Sequence, residues 1–105
     1  MIYVRKILNL LQRKNINFIC GVPDSVLKSF SNLIVKNSYF KHITAVNEGS
    51  AVSLGIGFHL STKKVPCIYF QNSGLGNAIN PLMSISHPKV YSIPTLLVIG
   101  WRGSP

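Results

Sequence analysis

Four short apolar runs alternate with segments of helical period, and this alternation constrains the fold more than any other feature of the chain. The runs cover residues 17–22, 42–46, 65–70 and 93–100. Between the first two, Val26, Leu27, Phe30, Leu33 and Ile34 recur at helical spacing behind Pro23, which suits a first helical turn. Residues 47–60 and 77–86 read as further connecting helices, the second interrupted by Pro81, and residues 2–14 read as an amphipathic opening helix stopped by Asn15. Strands that are apolar on both faces and separated by helices predict an α/β fold, a parallel sheet with helices on both faces. Right-handed crossovers then bring every strand's carboxyl end to one edge, where open α/β sheets bind ligands. The turns expected there are 21–25, 47–50, 71–77 and 100–105. No helical segment follows Gly100 to cover the last strand, so the expectation is an incomplete domain that further chain or another polypeptide completes.

Composition narrows the function. At 105 residues and 47% apolar, the chain suits one small domain, or a piece of a larger one, with a real core. Its longest strongly apolar stretch, 95–100, is far short of the roughly 20 residues that cross a bilayer, so no membrane role is expected. The opening segment is broken at Asn9 and by Gln12-Arg13-Lys14, unlike a secretory signal. Cys20 and Cys67 lie in apolar runs without metal or redox spacing, and read as reduced core thiols of a cytoplasmic protein. Eleven Lys and Arg against two acids give a charge of +9, which favours small anionic partners. The bases are scattered as pairs and singles without aromatic interleaving, so a nucleic-acid-binding module is a minor alternative. His42, His59 and His87 share no ligand spacing and read as solvated or core residues.

The two acids, Asp24 and Glu48, both fall at strand-to-helix turns. Each has a plain structural use: Asp24 as an N-cap, Glu48 as a first-turn acid favoured by the helix dipole. A chain with so few carboxylates, both on the binding edge, also points to a site. The richest loop is Gln71-Asn72-Ser73-Gly74-Leu75-Gly76-Asn77, where an amide and hydroxyl run ends an apolar strand and two glycines permit close approach. It is no dinucleotide fingerprint, because Ile79 takes the third small position and no acid follows, and Gly-Lys-Ser/Thr is absent.

Gly21-Val22-Pro23-Asp24-Ser25, Asn47-Glu48-Gly49, the Gln71 to Asn77 loop, Asn80-Pro81-Leu82 and Gly100-Trp101-Arg102-Gly103 occur in that order. Together they resemble the amino-terminal pyrimidine-binding domain of thiamine-diphosphate decarboxylases, above all phosphonopyruvate decarboxylase, with the sulfopyruvate decarboxylase alpha subunit next. The resemblance implies the thiamine-diphosphate-binding fold over residues 1–105, truncated at its carboxyl end, and a carboxy-lyase reaction of 3-phosphonopyruvate giving phosphonoacetaldehyde and carbon dioxide. Glu48 matches the glutamate that hydrogen-bonds N1′ of the aminopyrimidine, favouring the imino tautomer that deprotonates the thiazolium. Asp24 matches an acid near the reacting substrate, with Ser25 beside it. Asn72, Ser73, Gly74, Gly76 and Asn77 would line the cofactor pocket, and Arg102 would meet an anionic substrate group, or else is a solvated strand-end residue. Gly49, Ser50 and Ala51 fit a helix start crowded by cofactor or partner. Trp101 fits a domain or subunit boundary.

In the family, diphosphate and Mg²⁺ sit on a second domain, through a Gly-Asp-Gly stretch and a later asparagine. Nothing here matches, and Asp24 is the only aspartate, so no metal site is expected in this chain. A pyrophosphate-binding domain or subunit is therefore the expected partner, within a homo- or hetero-oligomer. A non-catalytic fragment of such an enzyme and a sulfopyruvate-type alpha subunit are the alternatives.

Overall fold

The computed structural model describes residues 2–103. Its elements run α1 (Ile2–Arg13), β1 (Phe18–Gly21), α2 (Lys28–Lys36), β2 (Lys41–Thr44), α3 (Glu48–Thr62), β3 (Cys67–Gln71), a 3-10 turn (Asn72–Gly74), α4 (Leu75–Pro81), a π-helical turn (Leu82–Ser86) and β4 (Leu96–Gly100). The four strands form one sheet in the order β2-β1-β3-β4, and every pairing is parallel. The expected α/β architecture is therefore what the chain adopts. Central β1 is buried throughout, as are the first four residues of β3, while edge strands β2 and β4 are only half-buried.

The two faces carry separate cores. Leu8, Leu11, Phe30 and Ile34 of α1 and α2 pack on Ile19, Cys67 and Tyr69. Ala51, Val52 and Ile56 of α3, with Ala78 of α4, pack on Cys20, Ile68 and Phe70. Alternation along the strands produces this division. Cys20 and Cys67 thus face opposite cores, and burial pushes both thiols up to about 12, leaving them inert at neutral pH.

One ring ties three strands together. Tyr69 on β3 is fully buried, pairs in register with Gly21 on β1, and brings its hydroxyl 2.6 Å from His42 Nε2 on β2. The ring can cross β1 only because residue 21 has no side chain: a Cβ there would meet Tyr69 Cδ1 at 2.5 Å and Cγ at 2.6 Å. Gly21 thus serves the sheet itself. His42, a solvated or core residue by sequence, is the half-buried polar end of this clamp.

Element boundaries differ from the sequence expectation in several places; β3 and β4, expected over 65–70 and 93–100, cover Cys67–Gln71 and Leu96–Gly100. The helix expected from Pro23 begins only at Lys28, because Asp24 Oδ1 accepts the Leu27 N–H at 2.9 Å and closes a separate turn. Asp24 does cap, but it caps that turn. The second strand stops at Thr44, leaving Val46 88% exposed. The helix expected at 77–86 starts at Leu75 and changes to a π-helical turn after Pro81, whose missing N–H breaks the regular ladder. Asn15 ends α1 as expected, with φ 60 and its N–H bonded to Gln12 O at 3.1 Å.

Gly21→Ala should destabilise the chain by about 1–3 kcal/mol in a denaturant titration, since backbone and a buried ring would have to yield; an unchanged midpoint would contradict the clamp. Burial lowers the His42 pKa from its ordinary 6.5, so the unfolded chain takes up that proton first. The contribution is complete above about pH 6.5 and is lost as pH falls from there through the lower folded-state value. Stability measured against pH should therefore fall more steeply below neutrality for the native chain than for His42→Gln.

Candidate functional site

Because all pairings are parallel, the ends of the four strands at Gly21, Thr44, Gln71 and Gly100 lie along one edge, and the motif residues follow them there. The sheet nevertheless divides them. Residues 22–27 lead into α2 on one face, whereas Glu48 opens α3 on the other.

Around Glu48 the site is compact. Asn47 is the N-cap of α3, its side chain accepting the Ser50 N–H at 2.8 Å, so the helix begins with Glu48 as its first residue. Asn77 Nδ2 then donates to Glu48 Oε1 at 3.0 Å, joining α3 to α4. The Glu48 side chain lies directly on Gly74, where a Cβ would come within 2.5 Å of Oε2 and closer still to Cγ and Cδ. Gly74 is buried and is what lets the carboxylate rest on the loop. Nearby, a Cβ at Gly49 would meet Asn77 O at 2.9 Å, so the crowding at this helix start comes from α4 of the same chain. Oε2 has no hydrogen-bond partner among the described residues, and Glu48 is only half-buried within this chain. Ser73 in the 3-10 turn and Gly76 in the first turn of α4 are exposed, and the space beside Gly76 is open, so the stretch expected from sequence as a loop is a 3-10 turn running into a helix.

A groove of about 950 Å³ runs from this point between α3 and α4, its wall mainly apolar through Phe18, Ile43, Leu54, Phe58 and Ile85 and interrupted by Ser50, Ser53 and Asn80. Asn77 and Asn47 stand at its head.

Asn72 behaves differently from its neighbours. Its Nδ2 donates to Arg102 O at 3.1 Å and its Oδ1 accepts the Arg102 N–H at 3.0 Å, so the whole amide clamps the chain leaving β4. Arg102 is thereby fixed by its backbone beside the end of β3, with an exposed side chain. Trp101 is 63% exposed and packs on no boundary within the described residues. On the α2 face, Ser25 is exposed and Asp24 is half-buried, its Oδ2 inaccessible and without a donor. Gln71, quoted in the loop motif but given no role from sequence, shares that condition at Oε1. A polar residue ending an apolar strand was the available signal. Among the described residues no three His, Cys, Asp or Glu side chains gather as a metal site.

The whole sequence, residues 1–105, matches the family profile described as thiamine pyrophosphate enzyme, N-terminal TPP binding domain. The chain belongs to that family. It is 42% identical over 97 residues to the sulfopyruvate decarboxylase subunit alpha of Methanocaldococcus jannaschii, covering 92% of this chain and 56% of the relative. It is 37% identical over 87 residues to the phosphonopyruvate decarboxylase of Streptomyces viridochromogenes, covering 83% of this chain and 21% of the relative. The benzoylformate decarboxylase of Polynucleobacter necessarius superposes with a TM-score of 0.79 at 26% identity, over 92% of this chain and 18% of that one. The chain thus spans only part of each protein it matches. The order expected from sequence, phosphonopyruvate before sulfopyruvate, is not what these identities favour.

For this thiamine pyrophosphate enzyme domain, Gly74→Ala should drive Glu48 off the loop and break its bond to Asn77. A crystal structure or the Asn77 side-chain amide shift would report the loss, and an unmoved Glu48 would contradict the packing described.

Proposed function

We propose that this chain is the pyrimidine-binding part of a thiamine-diphosphate-dependent decarboxylase, a carboxy-lyase completed by a pyrophosphate-binding domain or subunit. The observation that carries the reading is Glu48: a carboxylate at the start of α3, fixed through Oε1 by Asn77, seated on Gly74, with Oε2 left without a partner among the described residues. That oxygen is suited to share a proton with the ring nitrogen of the cofactor's aminopyrimidine. Fixing one oxygen through an amide aims the other without consuming it. Ser73 and Gly74 of the 3-10 turn and Gly76 and Asn77 of α4 form the surface the ring would lie against, and the open space at Gly76 suits close approach. Asn72 contributes indirectly, by holding residues 101–103 in place.

When bound, thiamine diphosphate supplies the carbon nucleophile and the electron sink for loss of carbon dioxide. This chain would orient the pyrimidine and hold a proton at Glu48, while the completing partner would cover the half-exposed carboxylate and carry diphosphate and Mg²⁺. Asp24 and Ser25, on the α2 face of the same edge, are the groups proposed to meet the reacting end of the substrate. The proposed substrate is a three-carbon 2-oxo acid ending in a tetrahedral oxyanion. The 42% identity and 56% coverage of the sulfopyruvate relative favour a sulfonate, and the phosphonopyruvate relative supports a phosphonate. Both chemistries suit the exposed Arg102 guanidinium, which can make two parallel hydrogen bonds to such a group. A cytoplasmic setting accords with two buried, unpaired thiols.

The test combines the chain with a Gly-Asp-Gly-bearing partner chain, thiamine diphosphate and Mg²⁺, and follows carbon dioxide release from sulfopyruvate and 3-phosphonopyruvate. Glu48→Gln should lower the rate by about 10²–10⁴. Full activity in that variant would remove the reading.

A further inference from the structure

Two acceptor oxygens at the strand-end edge are inaccessible and lack donors: Asp24 Oδ2 and Gln71 Oε1. Ser86 Oγ is the third such atom among the described residues, but these two fall on one edge of the sheet, and leaving buried acceptors unpaired is costly enough to require a cause.

The topology brings them together. The turn over residues 22–27 starts at the end of β1, yet a Cβ at Gly100 on β4 would meet Leu27 Cγ at 2.7 Å and Val26 Cγ1 at 2.9 Å. Strand β3 lies between β1 and β4, so the turn must pass over the end of β3. Gln71 is that end, in register with Gly100. Cys67 and Tyr69 face the α1 and α2 core, and alternation turns Gln71 toward the same face, beneath the turn that carries Asp24. Asp24 Oδ1 is already engaged by the Leu27 N–H, which leaves Oδ2 as the atom in need of a donor.

We propose that Gln71 is the positioning residue for Asp24, its side-chain Nε2 donating to Asp24 Oδ2. A half-turn of the Gln71 amide about its last side-chain bond exchanges oxygen for NH₂ with almost no change in shape. One rotation then serves both stranded oxygens: Oδ2 gains a donor, and Oε1 moves to the position Nε2 held, which is not among the inaccessible unpaired atoms. The carboxylate becomes fixed at both oxygens, by backbone on one side and by Gln71 on the other. An aspartate so held keeps one orientation at the rim, as a group that meets the reacting end of a substrate needs. That catalytic consequence rests on the function proposed above; the pair itself does not.

The test is a double-mutant cycle on folding stability at neutral pH, using the full chain alone or with its completing partner. Gln71→Glu should lower the folding equilibrium constant about tenfold or more, because it sets two carboxylates face to face. In the Asp24→Asn background the same substitution should cost little, since the asparagine amide can then donate to the new carboxylate. Equal penalties in both backgrounds would overturn the pairing. Independently, NMR of the native chain should detect a coupling across the hydrogen bond from Gln71 Nε2 to Asp24 Cγ, and its absence in a chain with resolved Gln71 amide signals would also overturn it. Full activity of Glu48→Gln would remove the functional reading while leaving this coupling intact, so the two ideas fail separately.

Discussion

Everything at the candidate site depends on parallel pairing of β1 with β3 at the centre of the sheet. That pairing is sealed by the Tyr69 ring crossing Gly21 to reach His42. The 0% exposure of Ile19, Cys20, Cys67, Ile68, Tyr69 and Phe70 means these strands cannot slip without moving both cores at once. A one-residue slip would exchange Cys20 and Ile19 between faces and carry Asp24 and Gln71 away from their present neighbours. Precision at the rim is thus inherited from packing in the middle.

The rim itself is built by economy. Glu48 has one partner for one oxygen, Asn72 spends its whole amide on Arg102, and Asn47 spends its oxygen on the start of α3. Three asparagines therefore do work that acids and bases would do in a more charged chain. This explains how a chain with two carboxylates assembles an organised edge. The half-exposed state of Glu48 and the open groove along α3 also fit a domain whose site is finished by another surface, in line with the partial coverage of every relative compared.

Much of this was legible in the sequence. Fully apolar runs separated by helical periods announced a parallel sheet, and the strand ends then located the motif turns without side-chain information. Family membership was legible because five short motifs occur in register. What escaped was set by contacts distant in sequence. Residues 22–27 resemble a helix start, yet Val26 and Leu27 are held against Gly100, about seventy positions away, and the helix waits until Lys28. The run to Val46 reads as strand, but Ala45 is the last buried residue and no neighbour covers Val46. His42 carried no local pattern at all, because its partner Tyr69 is 27 residues on. The substrate preference was least legible, since sulfonate and phosphonate ends call for the same cationic contact.

The central claim is that the Glu48 carboxylate acts on a nitrogen of the cofactor's pyrimidine, and the most direct measurement is exchange of the cofactor's thiazolium C2 proton for deuterium in the completed complex. The native chain should speed that exchange over Glu48→Gln by about 10²–10⁴, the range expected of one positioned acid-base group. Equal exchange rates, with cofactor binding unchanged, would contradict the account.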